Sequence, residues 1–400
     1  MPIPSRAANR PKACSIGAVE APHPWRGAAT RRSMLAALAG LGALTSASAM
    51  RRPMAARAPR RPPQGPAPSL GALAARSGLT FGASIGAGAL DLPDYLRLYL
   101  EQARILTSDL ELKFLILRPD QGPPRYAAAD RLVDFAQKNN MLFRGHTLIW
   151  NENNPAWLKS LGKAEIGAVL DRHVEETVGR YAGRMQSWDV VNEPFWPDHK
   201  APGWFRKGVW HDALGPDYIA RALRRAAAAD PSAKLVVNEA FTERGDGLGR
   251  MARRGMLRLI DDLQHAGVPL HAIGLEAHLQ PQYPSDDTGF LVFLDEIERR
   301  GLDIYLTELD VDDLGLPDEI DERDRIVADR VYEFLSRALT CPSVKILECW
   351  QLSDRYSWFA DPAMARRVDS GGPRPLPFDR NMARKPMFDS IARVFEARAA

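Results

Sequence analysis

Cysteine is scarce in this sequence: 400 residues contain three, at Cys14, Cys341 and Cys349. There is no CxxC pair and no Cys/His spacing of the zinc-binding kind, so neither a zinc-stapled fold nor a disulfide framework is expected. Cys341 and Cys349 leave two readings open, buried small hydrophobes or one disulfide. HExxH and Walker signatures are also missing, and Gly82, Gly86 and Gly88 are wrongly spaced for a dinucleotide loop. No apolar run reaches the ~20 residues of a comfortable membrane span. Positive charge is lacking too, outside the N-terminus. Of 53 Lys/Arg and 50 Asp/Glu, eleven bases and one acid fall within residues 1–65, so the rest carries a formal charge of −7. A mildly acidic body argues against nucleic acid as a partner, because phosphate binding needs a positive face.

The basic segment reads as a leader. Thr30-Arg31-Arg32-Ser33-Met34-Leu35 precedes a mild apolar run, Ala36 to Ala47, and then the small residues Ala47-Ser48-Ala49. That order is the order of a twin-arginine export signal, so residues 1–49 are read as a signal peptide. The Pro/Arg-rich stretch 50–68 reads as a linker, and 69–400 as one folded domain. An exported location, periplasmic or secreted, is expected.

Beyond the leader, short β-branched or apolar runs alternate with longer amphipathic stretches. Eight runs read as strands: Phe81–Ser84, Ile105–Thr107, Met141–His146, Ser187–Asn192, Lys234–Asn238, Ala272–Glu276, Asp303–Thr307 and Lys345–Trp350. Asp130–Asn139, Tyr218–Ala229 and Asp324–Leu339 carry apolar residues at helical spacing. Strand–helix alternation implies parallel strands with crossover helices. Eight such units favour an α/β fold of the closed (β/α)₈ barrel type over an open doubly wound sheet.

A barrel of this kind gathers its chemistry at the C-terminal strand ends. The expected ends carry Arg144-Gly145-His146, Asn192-Glu193, Asn238-Glu239, Glu276 with His278, Glu308 with Asp310, and Trp350. Loops beyond add Trp150, Trp157, Asp354 and Trp358. Acids, amides, histidines and tryptophans on one rim suit a sugar polymer. Indole faces pack on sugar rings, and glycoside cleavage takes two carboxyl groups. The alternation of a strand puts Glu308 and Asp310 on one side, where Asp310 can hold His278 against Glu308. Such a pair needs unlike surroundings: Glu193 protonated, Glu308 ionised.

These segments resemble glycoside hydrolase family 10, the family of endo-β-1,4-xylanases, over roughly Phe81 to Phe388. The resemblance rests on several ordered motifs: Arg144 to Trp150, Trp188 to Pro194, Ile273 to Leu279, Thr307 to Asp310, and Trp350 through Ser353 to Trp358. It implies a retaining endo-1,4-β-xylanase in 69–400, with Glu193 as proton donor and Glu308 as nucleophile. Asn192 is then expected at the sugar 2-hydroxyl, and His278 and Asp310 in support of Glu308. Lys113, His146, Trp150, Asn238, Glu276, Trp350 and Trp358 are expected to bind substrate. No cofactor and no metal are implied. The implied partner is β-1,4-xylan or a xylo-oligosaccharide, acted on by a monomer.

The sequence also departs from the family pattern. Asp109 and Leu110 stand where Glu and Asn are usual, Phe114 replaces Trp, and Asn151 replaces His. Glu276 stands where Gln is common, and Glu239-Ala240 replaces Asp-Tyr. Leu110 cannot hydrogen-bond a sugar, so the second glycone subsite is expected to be weakened or rearranged. Glu276 is expected to add a third carboxylate charge near the nucleophile and to shift the pH optimum. Two other readings stay open: a hydrolase of the same fold acting on another β-glycan, and an exported sugar-binding protein without catalysis.

Overall fold

A computed structural model describes residues 68–285, 287–360 and 371–400. The signal-peptide reading, residues 50–67 of the linker reading and Cys14 lie outside these residues. Eight strands form the frame: β1 (Thr80–Ile85), β2 (Ile105–Ser108), β3 (Leu142–Gly145), β4 (Ser187–Asn192), β5 (Lys234–Glu239), β6 (Ala272–Leu275), β7 (Asp303–Val311) and β8 (Val344–Cys349). Each pairs in parallel with the next in sequence, and β8 pairs with both β7 and β1. The sheet is therefore a closed parallel barrel. Closure leaves no edge strand in need of a partner.

One principal helix follows each strand: α1 (Pro93–Gln102), α2 (Ala127–Lys138), α3 (Lys163–Arg180), α4 (Tyr218–Ala229), α5 (Gly247–His265), α6 (Asp287–Arg299), α7 (Ile320–Ala338) and α8 (Pro386–Ala399). Each lays an apolar stripe on the barrel. In α4 the buried residues are Tyr218, Ile219, Ala222, Leu223 and Ala226, one face of a 3.6-residue period. The helix stops where Asp230 precedes Pro231, because proline pushes the residue before it toward extended backbone; Asp230 has φ −145° and ψ 95°. Both α2 and α7 start earlier than the sequence reading placed them. Ala127 to Ala129 are strong helix formers, and Asp321 and Glu322 favour the N-terminal dipole end of α7.

Apolar side chains fill the space between strands and helices, while a small cluster of Ile105, Val236, Ala272, Tyr305 and Ile346 forms a separate core. Beside Tyr305, Arg144 is fully buried and bridges Asp189 and Glu348 at 2.6 Å each. Thr107 donates to Glu348 at 2.9 Å. Arg144, read from the sequence as part of the rim, is thus a structural cation inside the barrel. Cys341 and Cys349 are buried free thiols, which settles the disulfide question in favour of small core residues. Among the described residues no helix is long and apolar enough to cross a membrane.

Candidate active site

Glu193 follows the last residue of β4 and adopts φ +46°, a left-handed conformation unfavourable for a side chain with a Cβ. Its amide donates to the Asn238 carbonyl at 2.8 Å, which ties the turn to β5. Strain of this kind costs about 1–3 kcal/mol and persists only where the surroundings enforce it. Here it directs an almost fully buried carboxyl group onto the rim.

Glu308 lies within β7, which runs on to Val311 and so carries both Glu308 and Asp310. His278 follows β6 by three residues and joins the two acids. Its Nδ1 is 2.8 Å from Asp310 Oδ1, and its Nε2 is 3.3 Å from Glu308 Oε2. The Trp358 indole donates to the other Asp310 oxygen at 2.7 Å. Asn238, from β5, donates through Nδ2 to Glu308 Oε1 and to Asn192 Oδ1, both at 2.9 Å. Thr307 donates to Asn238 Oδ1 at 2.8 Å and so fixes the orientation of the amide. Gly274 makes room for it: a Cβ there would lie 2.1 Å from Asn238 Oδ1. His146 places Nδ1 2.9 Å from Asp189 and 3.9 Å from Glu308 Oε1, with its ring edge-on to Trp350. The Lys113 ammonium lies 5.5 Å and 5.6 Å from the rings of Trp150 and Trp350.

The two carboxyl groups have opposite electrostatics. Burial is the largest influence on Glu193 and raises its proton affinity; Glu152 and Glu308 raise it further, and Arg206 opposes them. Burial would raise Glu308 as well. The attraction of His146, the hydrogen bond and charge of His278, and Lys113 overcome it and hold Glu308 down to about 2. Burial works against a charge on His278, yet Asp310 and Glu308 push its proton affinity well above the usual histidine range. Glu193 thus favours its proton while Glu308 sheds its own.

Glu276 stands beside this pair as a third carboxyl group. Its Oε1 is 3.3 Å from Asn238 Nδ2 and its Oε2 is 3.9 Å from His278 Nε2. Burial, then the charges of Glu308 and Glu193, push its proton affinity well up. These surroundings oppose a full third negative charge beside Glu308, and Glu276 accepts from Asn238 through Oε1.

Other rim candidates lie elsewhere. Asp354 is fully buried and pairs with Lys385 at 2.9 Å, a bond that fastens the strand-eight loop to the start of α8. Trp157 donates its indole N–H to the Arg118 carbonyl and packs near Phe114. Glu239 accepts from the Phe195 and Ala240 amides at 3.0 and 2.9 Å. Asn151 accepts from the Trp210 and His211 amides. Leu110 is 48% exposed and presents no polar side-chain atom to a ligand. Glu276, His278 and Glu308 each offer an atom within 4.8 Å of the others. With His278 Nδ1 on Asp310 and its Nε2 facing Glu308, the trio forms a polar network around the nucleophile candidate.

Arg206 and Glu152 were not singled out from the sequence. Arg206 touches Glu193 at 2.6 Å and Glu152 at 2.6 Å. Both lie in irregular loops, where neither periodicity nor a motif marks them.

Comparison with known proteins agrees with this geometry. The model of glycosyl hydrolase family 10 matches residues 69–394. The chain is 30% identical to endo-1,4-beta-xylanase B of Thermotoga neapolitana over 334 residues, which covers 81% of this chain and 90% of that protein. It is 31% identical to endo-1,4-beta-xylanase A of Phanerodontia chrysosporium over 327 residues, 80% of this chain and 74% of that one. Native xylanase 10B from Thermotoga maritima superposes with a TM-score of 0.74 at 29% identity, covering 83% of this chain and 99% of that chain. Xylanase 10B from Thermotoga petrophila RKU-1 in complex with xylobiose gives a TM-score of 0.76 at 28% identity, covering 84% of this chain and 100% of that chain. On the matched family model and this two-carboxyl rim, the chain belongs to glycosyl hydrolase family 10, a family of glycoside hydrolases.

Proposed function

We propose that this protein is a retaining endo-1,4-β-xylanase, with Glu193 as acid/base and Glu308 as nucleophile. The observation that carries the reading is the contrast between the two acids: Glu308 is held ionised by the His278–Asp310 pair, while burial favours the proton on Glu193. The names of the relatives, endo-1,4-beta-xylanases, and the xylobiose complex of one structural neighbour support the substrate class.

The first step joins a Glu308 oxygen to the anomeric carbon as the glycosidic C–O bond breaks, and Glu193 gives its proton to the departing oxygen. In the second step Glu193 takes a proton from water, the water oxygen attacks the same carbon, and Glu308 leaves as a carboxylate. Asn238 occupies the Asn192 carbonyl oxygen, which leaves the Asn192 N–H₂ as donor to a sugar hydroxyl. Lys113, Trp150, Trp350 and Trp358 would supply the sugar-binding wall. An exported location, suggested by the Arg31-Arg32 leader, would suit an extracellular polymer.

Leu110 and Glu276 favour a second reading, another β-1,4-glycan as preferred substrate. Initial rates on xylan and on mixed-linkage β-glucan, with Glu308→Ala as the inactive control, separate the two. The proposal expects a rate on xylan at least tenfold higher. A preference for β-glucan would overturn the substrate assignment and leave the two-carboxyl chemistry in place.

A further inference from the structure

The loop after β4 doubles back on itself. Phe195 bridges Phe205 as an antiparallel pair with stacked rings 5.2 Å apart, and the Trp196 amide donates to the Trp204 carbonyl at 2.8 Å. This return delivers Arg206 to Glu193, thirteen residues earlier. The guanidinium is only 1% exposed. It donates through Nε to the Glu193 carbonyl at 2.8 Å, through Nη2 to Glu193 Oε2 at 2.6 Å, and through Nη1 to Glu152 Oε1 at 2.6 Å. Its plane also lies 4.7 Å over the Trp196 ring. The cation thus ties the Glu193 side chain to its own backbone, to Glu152 and to the Trp196 ring.

We propose that Arg206, braced by Glu152, is a positioning residue that reserves Oε2 of Glu193 as an acceptor, makes Oε1 the proton-donating oxygen, and sets the alkaline limit of catalysis. The inference rests on the reading of Glu193 as acid/base. An oxygen that accepts a charged N–H at 2.6 Å is the less favourable one to protonate, so the proton favours Oε1. Oε1 has no hydrogen bond among the described residues.

A lone arginine against a general acid would strip its proton, since a neighbouring cation favours the carboxylate. Glu152 counters this. It shares the guanidinium and offsets its charge, so Glu193 is oriented while its proton affinity stays raised. The other groups facing Glu193 are Glu308 from β7, His278 and Glu276 beyond β6, and Glu239 from β5. None of them belongs to the loop that carries Arg206.

Charge removal on the two sides should therefore act in opposite directions. Glu152→Gln leaves the arginine uncompensated, so Glu193 should lose its proton sooner and the alkaline limb of kcat/KM should move to lower pH. Arg206→Gln removes the cation, so the limb should move to higher pH. The experiment is a pH profile of kcat/KM on xylohexaose for wild type, both variants and Glu193→Ala, with folding checked by circular dichroism. Opposite displacements of at least about half a pH unit are expected. Should Arg206→Gln fail to fold, the downward displacement in Glu152→Gln decides alone. Unmoved limbs, or displacements of the same sign, would overturn the proposal. A wild-type-like alkaline limb that persists in Glu193→Ala would instead overturn the assignment of Glu193 itself.

Discussion

His278 Nε2 lies 3.3 Å from Glu308 Oε2, and the opposite ring nitrogen is fixed by Asp310 at 2.8 Å. Both acids push the proton affinity of His278 well up against its burial, which favours an imidazolium facing Glu308. Glu308 is lowered to about 2 against the pull of its own burial. Deleting the cation should raise it. In His278→Ala the acid limb of kcat/KM should therefore move upward, to about 4 or above, the ordinary carboxylate range. Turnover should fall by about 10²-fold, as for loss of one aimed donor. An acid limb unchanged in the variant would show that His278 does not hold the charge on Glu308.

Glu193→Ala should discriminate between leaving groups. A poor leaving group needs the proton, whereas an activated aryl oxygen departs without it. The variant should lose about 10²–10⁴-fold on xylo-oligosaccharides and far less on an aryl xylobioside. Parallel kinetics on both substrates give the answer. Equal losses would mean that Glu193 does not donate the proton.

Glu276 predicts a stability that depends on pH. Its native proton affinity is pushed well above the unfolded carboxyl value of about 4.3. A group raised in this way stabilises the fold below the unfolded value, and the benefit is lost as pH rises toward the native value. An amide at this position has no such loss. Glu276→Gln should thus melt close to wild type near pH 4 and exceed it by about 2 °C or more at pH 8. Thermal melts across that range measure it. A gap that does not change with pH would contradict a raised proton affinity for Glu276.

Arg144 predicts a large loss without any contact to substrate. Arg144→Met would leave Asp189 and Glu348 buried without their cation, at a cost of about 3–5 kcal/mol. Urea unfolding should show the midpoint fall. A loss under about 1 kcal/mol would mean that the two acids find protons or water instead.

The barrel was legible because its eight strands are short apolar runs between helices whose stripes follow a plain 3.6-residue period, as in Tyr218–Ala229. The starts of α2 and α7 were read too late, since alanines and first-turn acids extend a helix without adding to its apolar stripe. Strand-end acids and histidines are visible in sequence as residue types, but their protonation is not. Glu276 reads in sequence as an added charge, and only its burial beside Glu308 and Glu193 shows that its proton affinity is pushed up. Asp354 looked like a rim acid, and its partner Lys385 lies 31 residues away. The same limit hid Arg206, whose approach to Glu193 depends on a loop that folds back on itself rather than on any repeating pattern.

The most direct test of the central claim is real-time NMR of xylohexaose cleavage. The account predicts internal cleavage to shorter xylo-oligosaccharides, with the β-anomer appearing first and the α-anomer only later by mutarotation, because two displacements at one carbon retain configuration. First appearance of the α-anomer would contradict Glu308 as nucleophile, and absence of cleavage by folded protein would contradict the xylan reading.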